Sequence, residues 1–201
     1  REGRDREHRL ALALVEEGKI VTQTSTGSFQ LVLDQTPFYA ESGGQIGDRG
    51  EITAPGGFHA KVVDVRRPMG EMIVVTCEEA RGQLKTGALV QQNTAKQLRS
   101  LTAKNHTATH MLHHALRHQL GAHVKQAGSL VNPELLRFDF THHKGMTEEE
   151  LERVEDFINE SITQGEPVAS EEMEKDKALA KGAIAFFGDK YGAKVRVISV
   201  G

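Results

Sequence analysis

The chain has 201 residues, 38% of them hydrophobic, which is enough to form one large or two small cores. Its net charge is −3, and its single cysteine, Cys77, excludes an internal disulfide and a cysteine-rich zinc cage. No apolar run approaches the ~20 residues that span a bilayer, and the first residues lack the apolar core of a signal peptide, so we expect a cytoplasmic protein with no membrane partner.

The first residues alternate charges and then continue in an apolar run at residues 10–15. This run predicts a helix ending near Gly18, and we interpret residues 1–18 as the helical tail of a preceding domain. From Lys19 onward the pattern changes to short β-forming runs. Two of them, residues 20–24 and 29–33, flank Ser-Thr-Gly-Ser, which predicts a hairpin.

Further short β-forming runs follow, and glycine- or proline-containing segments separate them. They cover residues 50–53, 59–65, 72–77 and 88–92. Many short strands joined by such turns are typical of sandwiches and barrels. The pattern predicts a small N-terminal β-barrel subdomain over residues 19–92.

A long helix is predicted from about residue 93 to residue 120, where Gly121 ends it. Half of the ten histidines fall within residues 105–118. Four of them recur at i, i+4 spacing and therefore lie along one stripe: His106, His110, His114 and His118. Spacing alone makes every adjacent pair an equal candidate for holding a metal. A histidine-rich surface helix is the alternative.

The rest of the chain mixes strands and helices. Residues 136–140 alternate as a half-buried strand. Thr147 and Glu150 form a capping box for a helix whose apolar face carries Leu151, Val154, Ile158 and Ile162. A strand at 167–169, a helix at 171–181 and a strand at 195–200 follow. The pattern predicts an α+β fold in which residues 93–201 form a two-layer α/β sandwich with a largely antiparallel sheet.

Charge is distributed unevenly along the chain. Residues 148–176 contain twelve acidic and two basic side chains and carry −10, whereas the remainder has 23 basic and 16 acidic side chains and carries +7. Basic residues of that remainder could form a phosphate-binding patch. They are Lys61, Arg66, Arg67, Lys96, Arg99, Lys104, Arg117 and Lys125. An ordinary solvated surface is the alternative, which the sequence alone favours.

A second informative stretch covers residues 33–50 and contains Gly43, Gly44 and Gln45 in succession. Adjacent glycines allow close backbone approach to a ligand, and a glutamine amide both donates and accepts hydrogen bonds. A tight turn between strands explains the same residues. Two common hydrolase motifs are missing. Thr107 occupies the position of the glutamate in a His-Glu-x-x-His peptidase, and no Gly-x-Ser-x-Gly elbow occurs.

Four segments together resemble the editing region of alanyl-tRNA synthetase. They are residues 33–50, with Thr-Pro-Phe-Tyr-Ala-Glu-Ser-Gly-Gly-Gln; residues 105–110, Asn-His-Thr-Ala-Thr-His; residues 128–140; and residues 182–192. They occur in the family's order over roughly residues 19–201, which makes chance agreement far rarer than for one motif. The resemblance extends to freestanding alanine-type trans-editing proteins and to the editing domain of threonyl-tRNA synthetases. It implies a small barrel followed by an editing core.

The activity that the resemblance implies is hydrolysis of serine or glycine wrongly esterified to tRNA(Ala). A second site is needed because an aminoacylation site cannot exclude the smaller glycine and rejects one added hydroxyl only weakly. An editing site can demand that hydroxyl through a polar partner, which an alanyl ester leaves unpaired at a cost of roughly 1–3 kcal/mol. Thr36 and Gln45 are the candidate partners, with Gly43 and Gly44 beside them. His106, His110 and Gln45 are the expected catalytic residues.

The resemblance also makes His106 and His110 the first two zinc ligands. The other two should come from a Cys-Gly-Gly-Thr-His motif after the last strand, which these 201 residues do not contain, and Cys77 does not match it. Two imidazoles fall short of the usual four ligands, so we expect an excised piece of a larger synthetase with weak or absent zinc and impaired activity.

The expected partners are mischarged tRNA(Ala) and the remaining domains of the parent synthetase. ATP and Mg²⁺ are expected only in an aminoacylation domain outside these residues, since nothing in the chain resembles a class II catalytic core. A freestanding trans-editing hydrolase is the alternative among enzymes. A non-catalytic tRNA-binding module is the alternative from another class.

Overall fold

The computed structural model describes residues 8–183 and 192–200. The chain divides into two compact units. The first contains the residues up to His110 together with Gly128–Asp139, and the second contains Met111–Ala127 and the residues from Phe140 onward. Strands, mostly antiparallel, and a few helices confirm the α+β class. No helix among the described residues is long and apolar enough to cross a membrane.

The first unit is built on a seven-stranded antiparallel sheet with the strand order β2-β1-β4-β7-β6-β5-β9, in which β9 also pairs with β1. A second pairing joins β3 to β8. Alternate residues of β4, namely Phe29, Leu31 and Leu33, are buried, as expected for a strand with one face on a core. The strands are β1 (Arg9–Glu16), β2 (Lys19–Val21), β3 (Gln23–Thr24), β4 (Gly27–Leu33), β5 (Gly50–Ala54), β6 (Phe58–Met69), β7 (Met72–Arg81), β8 (Leu84–Lys85) and β9 (Leu89–Thr94).

The predicted helix over residues 1–17 is wrong in its described part, because Arg9–Glu16 form β1. Leucine and alanine alternate there, and a register shift between Ala11 and Ala13 lets both Ala11 and Leu14 point into the core. Residues 1–7 lie outside the described part of the chain.

The predicted hairpin between residues 20–24 and 29–33 is also wrong. Glu17 and Gly18 have φ of 48° and 76° and form a two-residue turn, so β2 pairs with β1. Strand β4 pairs instead with β1 and β7. The strands predicted at 50–53, 59–65, 72–77 and 88–92 are confirmed as β5, β6, β7 and β9.

The predicted long helix is confirmed as α1 (Lys96–Leu120), followed by Gly121 with φ of 116°. It begins three residues later than predicted because residues up to Thr94 complete β9. Strands β10 (Gln126–Val131) and β11 (Leu136–Phe140) then pair, and β11 is the strand predicted at 136–140.

The second unit contains α2 (Glu148–Gln164), β12 (Val168–Glu174), α3 (Lys175–Ala180) and β13 (Lys194–Val200). The capping box is confirmed, since the Thr147 hydroxyl accepts from the Glu150 amide at 3.2 Å and the Glu150 carboxylate accepts from the Thr147 amide at 2.9 Å. Of the predicted apolar face of α2, Val154 is buried and Ile158 half-buried, whereas Leu151 and Ile162 are exposed.

The predicted helix at residues 171–181 is wrong in its first half. Strand β12 extends to Glu174 because it pairs along its whole length with β13, the strand predicted at 195–200. Only Lys175–Ala180 are helical. Residues 184–191 lie outside the described residues. They make up most of the fourth segment that resembles the editing region, residues 182–192.

Candidate functional site

The Gly-Gly-Gln segment forms a tight turn in the loop between β4 and β5. Ser42 and Gln45 exchange backbone hydrogen bonds of 3.1 and 3.0 Å, and Gly43 and Gly44 have φ of 61° and 85°. This is the left-handed region that glycine occupies without strain. The segment is therefore a tight turn between strands, which was the alternative to a ligand-binding loop. The turn points Gln45 toward α1.

Strand β10 lies against the back of this turn. Val131 donates its amide to the Gly44 carbonyl at 2.8 Å and accepts from the Ile46 amide at 3.1 Å. The Ser129 hydroxyl donates to the Gly43 carbonyl at 3.3 Å. The close backbone approach that the two glycines permit is thus an approach to β10.

Gln45 and His106 meet directly. The Gln45 carboxamide oxygen lies 2.5 Å from His106 Nδ1. Because a carboxamide oxygen only accepts hydrogen bonds, Nδ1 carries the proton in this contact. The His110 ring stacks on that of His106, with centroids 5.0 Å apart and an interplanar angle of 18°. The structure therefore brings together all three residues predicted to be catalytic.

The chemistry of this donor set is compatible with a metal. With Nδ1 hydrogen-bonded to Gln45, His106 would offer Nε2 to a metal, the usual arrangement for a histidine ligand oriented by a second residue. The described residues contain no group of three or more His, Cys, Asp or Glu placed to hold a metal. Cys77 is fully buried, and burial raises the pKa of its thiol to about 12, which opposes the thiolate form that binds metal.

Thr36, the other predicted partner for a substrate hydroxyl, is held at the start of the same loop. Its hydroxyl donates to Gln92 Oε1 at 2.6 Å and accepts from the Phe38 amide at 3.2 Å. Gln92 is 1% exposed and donates through Nε2 to the Gln35 carbonyl at 3.0 Å. Thr36 thus shapes the loop, and its role toward a substrate stays a prediction.

Asp48 and Arg99 form a partly buried ion pair beside the Gly-Gly-Gln segment, and the sequence did not predict this pair. The Asp48 carboxylate, 7% exposed, accepts from the Tyr39 amide at 2.6 Å and forms an ion pair with Arg99. Arg99 also donates to the Pro37 carbonyl at 2.7 Å. No local signal marks Asp48, because Gly-Asp-Arg-Gly at residues 47–50 has the composition of an exposed turn, and Arg99 stands out only as one of several basic residues.

Several members of the predicted phosphate-binding patch are already paired within the protein. Ion pairs join Lys61 to Glu79 at 2.7 Å, Arg66 to Asp64 at 2.6 Å and Arg67 to Glu71 at 3.5 Å. Arg117 donates to the carbonyls of Ala122 and Val124. These pairings favour the alternative of an ordinary charged surface.

The later histidines of the stripe belong to the second unit and pack against α2. The rings of His114 and His118 lie 5.7 and 4.7 Å from the ring of Phe157. His113 is 3% exposed. Burial is the main cause that lowers the pKa of His113, and the charges of Arg117 and His114 lower it further, against a backbone hydrogen bond with Val124.

Acid is expected to destabilise the protein as the pH falls below the ordinary histidine pKa of ~6.5, because the pKa of buried His113 is lowered in the folded chain. The pKa of His123 is also lowered, mainly by burial and then by the charges of His143 and His142. Below the ordinary histidine pKa of ~6.5, the unfolded chain binds protons that the folded chain binds only at lower pH. The free energy of unfolding therefore decreases as the pH decreases. Urea denaturation at pH 7.5, 6.5 and 5.5 measures this. His113→Leu should flatten the profile and the exposed His118→Gln should not; a constant free energy of unfolding would contradict the prediction.

The comparisons with known proteins first define a class. The family described as tRNA synthetases class II (A) matches residues 5–98. The relatives are alanine–tRNA ligases: that of Parvibaculum lavamentivorans is 46% identical over 191 residues, that of Pseudothermotoga lettingae 49% over 185 and that of Rhizobium meliloti 48% over 191. These alignments cover 92–94% of this chain but about a fifth of each relative. The chain therefore belongs to the alanine–tRNA ligase family, as a segment about a fifth of its relatives' length.

Proposed function

We propose that this chain carries the editing site of an alanine–tRNA ligase, which hydrolyses the ester linking serine or glycine to tRNA(Ala). The observation that carries the proposal is the contact between Gln45 and His106, because it joins two of the four segments that resemble the family's editing region. Membership of the alanine–tRNA ligase family supports it. The pairing of β9 with β1 supports the predicted closure of the sheet into a small barrel.

Hydrolysis of an aminoacyl ester requires a positioned water and stabilisation of the negative charge that develops on the carbonyl oxygen. The Gln45 contact fixes the tautomer and orientation of His106, and His110 stacks alongside. A zinc ion held by these two histidines would supply Lewis acidity or hold the terminal adenosine and amino acid in place. The same hydrogen bond would orient the Gln45 carboxamide at the site.

Selection of serine over alanine follows from the same contact. The oxygen of the Gln45 carboxamide faces His106, so its Nε2 is the donor that can face a substrate hydroxyl. An alanyl ester would leave this donor unpaired, which typically costs about 1–3 kcal/mol, or roughly 10- to 100-fold in rate. Thr36 is the second candidate for this role.

The test compares hydrolysis of seryl-tRNA(Ala) and alanyl-tRNA(Ala) by the full-length gene product that contains this sequence, and by this chain alone, with and without added zinc. We expect the seryl ester to be hydrolysed at least about tenfold faster than the alanyl ester. Metal analysis of the purified chain belongs to the same experiment, since tightly held stoichiometric zinc would contradict the expectation of weak binding. Binding of both tRNAs without hydrolysis would refute the proposal and favour the tRNA-binding module.

A further inference from the structure

We propose that Asp48 and Arg99 form a positioning pair that sets Gln45 against His106. The purpose of this positioning, which is ester hydrolysis, rests on the proposed function. The positioning itself is argued from the contacts alone. Neither residue is proposed to touch the substrate. Both act through the loop that carries Gln45.

The Asp48–Arg99 pair holds together the two ends of the loop between β4 and β5. The Asp48 carboxylate accepts a hydrogen bond from the Tyr39 amide at 2.6 Å, and the Asp48 amide donates to the Tyr39 carbonyl at 3.0 Å. Arg99 reaches the same carboxylate through Nε at 3.1 Å and donates from its terminal nitrogen to the Pro37 carbonyl at 2.7 Å. The guanidinium fork therefore binds both ends of the loop, with Gln45 between them.

The same interactions attach the loop to the helix that carries the histidines. Arg99 lies on α1 seven residues before His106, or roughly 10 Å along the axis at 1.5 Å per residue. The Arg49 carbonyl accepts from the Ala95 amide at 2.8 Å, next to the first turn of α1. The loop thus has one anchor at the start of α1 and a second at His106, so the first anchor fixes where Gln45 lies along the helix.

Other contacts position the turn against β10, and the residue after this strand, Asn132, accepts a hydrogen bond from the Asn105 side chain of α1 at 2.8 Å. The contacts of the turn with β10 are the backbone hydrogen bonds of Val131 with Gly44 and Ile46. Losing the Asp48–Arg99 pair leaves the turn held through β10, but it removes the interactions that join both ends of the loop to Arg99 of α1, so we expect Gln45 to shift relative to His106. A role limited to stability would lower the resistance to urea and leave the Gln45–His106 contact intact, which separates the two interpretations.

The variants that test this are Asp48→Asn, Arg99→Met and Arg99→Lys. Glu71→Gln and Glu79→Gln are the controls, because each breaks an exposed ion pair of the same unit. Two readouts are compared: kcat and KM for seryl-tRNA(Ala), and the ¹⁵N and imidazole proton resonances of His106 in histidine-labelled protein. Arg99→Lys keeps the charge but loses the fork, so it tests the geometry even if the other variants fold poorly.

We expect kcat to fall about 10- to 100-fold with KM changed little, because a displacement of about 1 Å is enough for such a loss. The hydrogen-bonded Nδ1 proton of His106 should disappear or exchange rapidly, as it should in Gln45→Ala, and the controls should retain it. A folded Asp48→Asn or Arg99→Lys protein that keeps both kcat and this proton overturns the inference. If the unaltered protein does not hydrolyse the ester, the proposed function fails, yet the resonance still decides the positioning.

Discussion

Replacing His106 with alanine is expected to lower the rate of seryl-tRNA(Ala) hydrolysis at least about 100-fold, the loss typical when a catalytic histidine or an oriented metal ligand is removed. The substitution removes the hydrogen bond to Gln45 and one of the two stacked imidazoles together. Rates measured under single-turnover conditions, beside tRNA affinity measured separately, show whether hydrolysis or binding is lost. Unchanged hydrolysis would refute both proposed roles of a metal.

The matched control is His114→Ala, which makes the same change two turns further along α1. His114 is exposed and lies against Phe157, so its loss should leave the rate within about twofold, as is usual for surface substitutions away from special features. Gln45→Ala tests whether the two site residues act as a unit. If they do, the double variant His106→Ala with Gln45→Ala should be little slower than either single variant, because effects of coupled residues do not add.

Elements with a strong local signal were predictable from the sequence. The capping box at Thr147, the glycine that ends α1 and the alternation of β11 each depend on neighbouring residues, and the structure contains them. The error at residues 10–15 has a physical cause. Leucine and alanine are the strongest helix formers, yet pairing of β1 with β2, β4 and β9 overrides that preference.

The candidate site was only partly predictable, because its decisive contacts join distant parts of the chain. Spacing makes His106/His110, His110/His114 and His114/His118 equivalent pairs. What distinguishes the first is Gln45, 61 residues away. Asp48 and Arg99 are 51 residues apart, and Thr36 and Gln92 are 56 apart. Burial of such polar groups follows from tertiary pairing, which a pattern of neighbouring residues does not contain.

Replacing Gly44 with alanine is expected to lower the free energy of unfolding by about 2–5 kcal/mol: roughly 1–2 for a side chain in left-handed backbone and 1–3 for overpacking. A Cβ on Gly44 would lie 2.1 Å from the Ser129 hydroxyl oxygen and 2.6 Å from the Ser129 carbonyl oxygen. The hydroxyl can rotate away, but the carbonyl belongs to β10. The turn must therefore move away from β10, and it carries Gln45 with it.

Gly57→Ala is the control that isolates this steric effect. Gly57 has φ of 82°, close to the 85° of Gly44, but a Cβ there would meet no atom within 4 Å. It should cost only about 1–2 kcal/mol in urea denaturation and leave hydrolysis of seryl-tRNA(Ala) unchanged. Adding Ser129→Ala to Gly44→Ala should recover little, since the clash with the backbone carbonyl persists. Equal losses of stability and activity in Gly44→Ala and Gly57→Ala would show that the fit of the turn against β10 does not position Gln45.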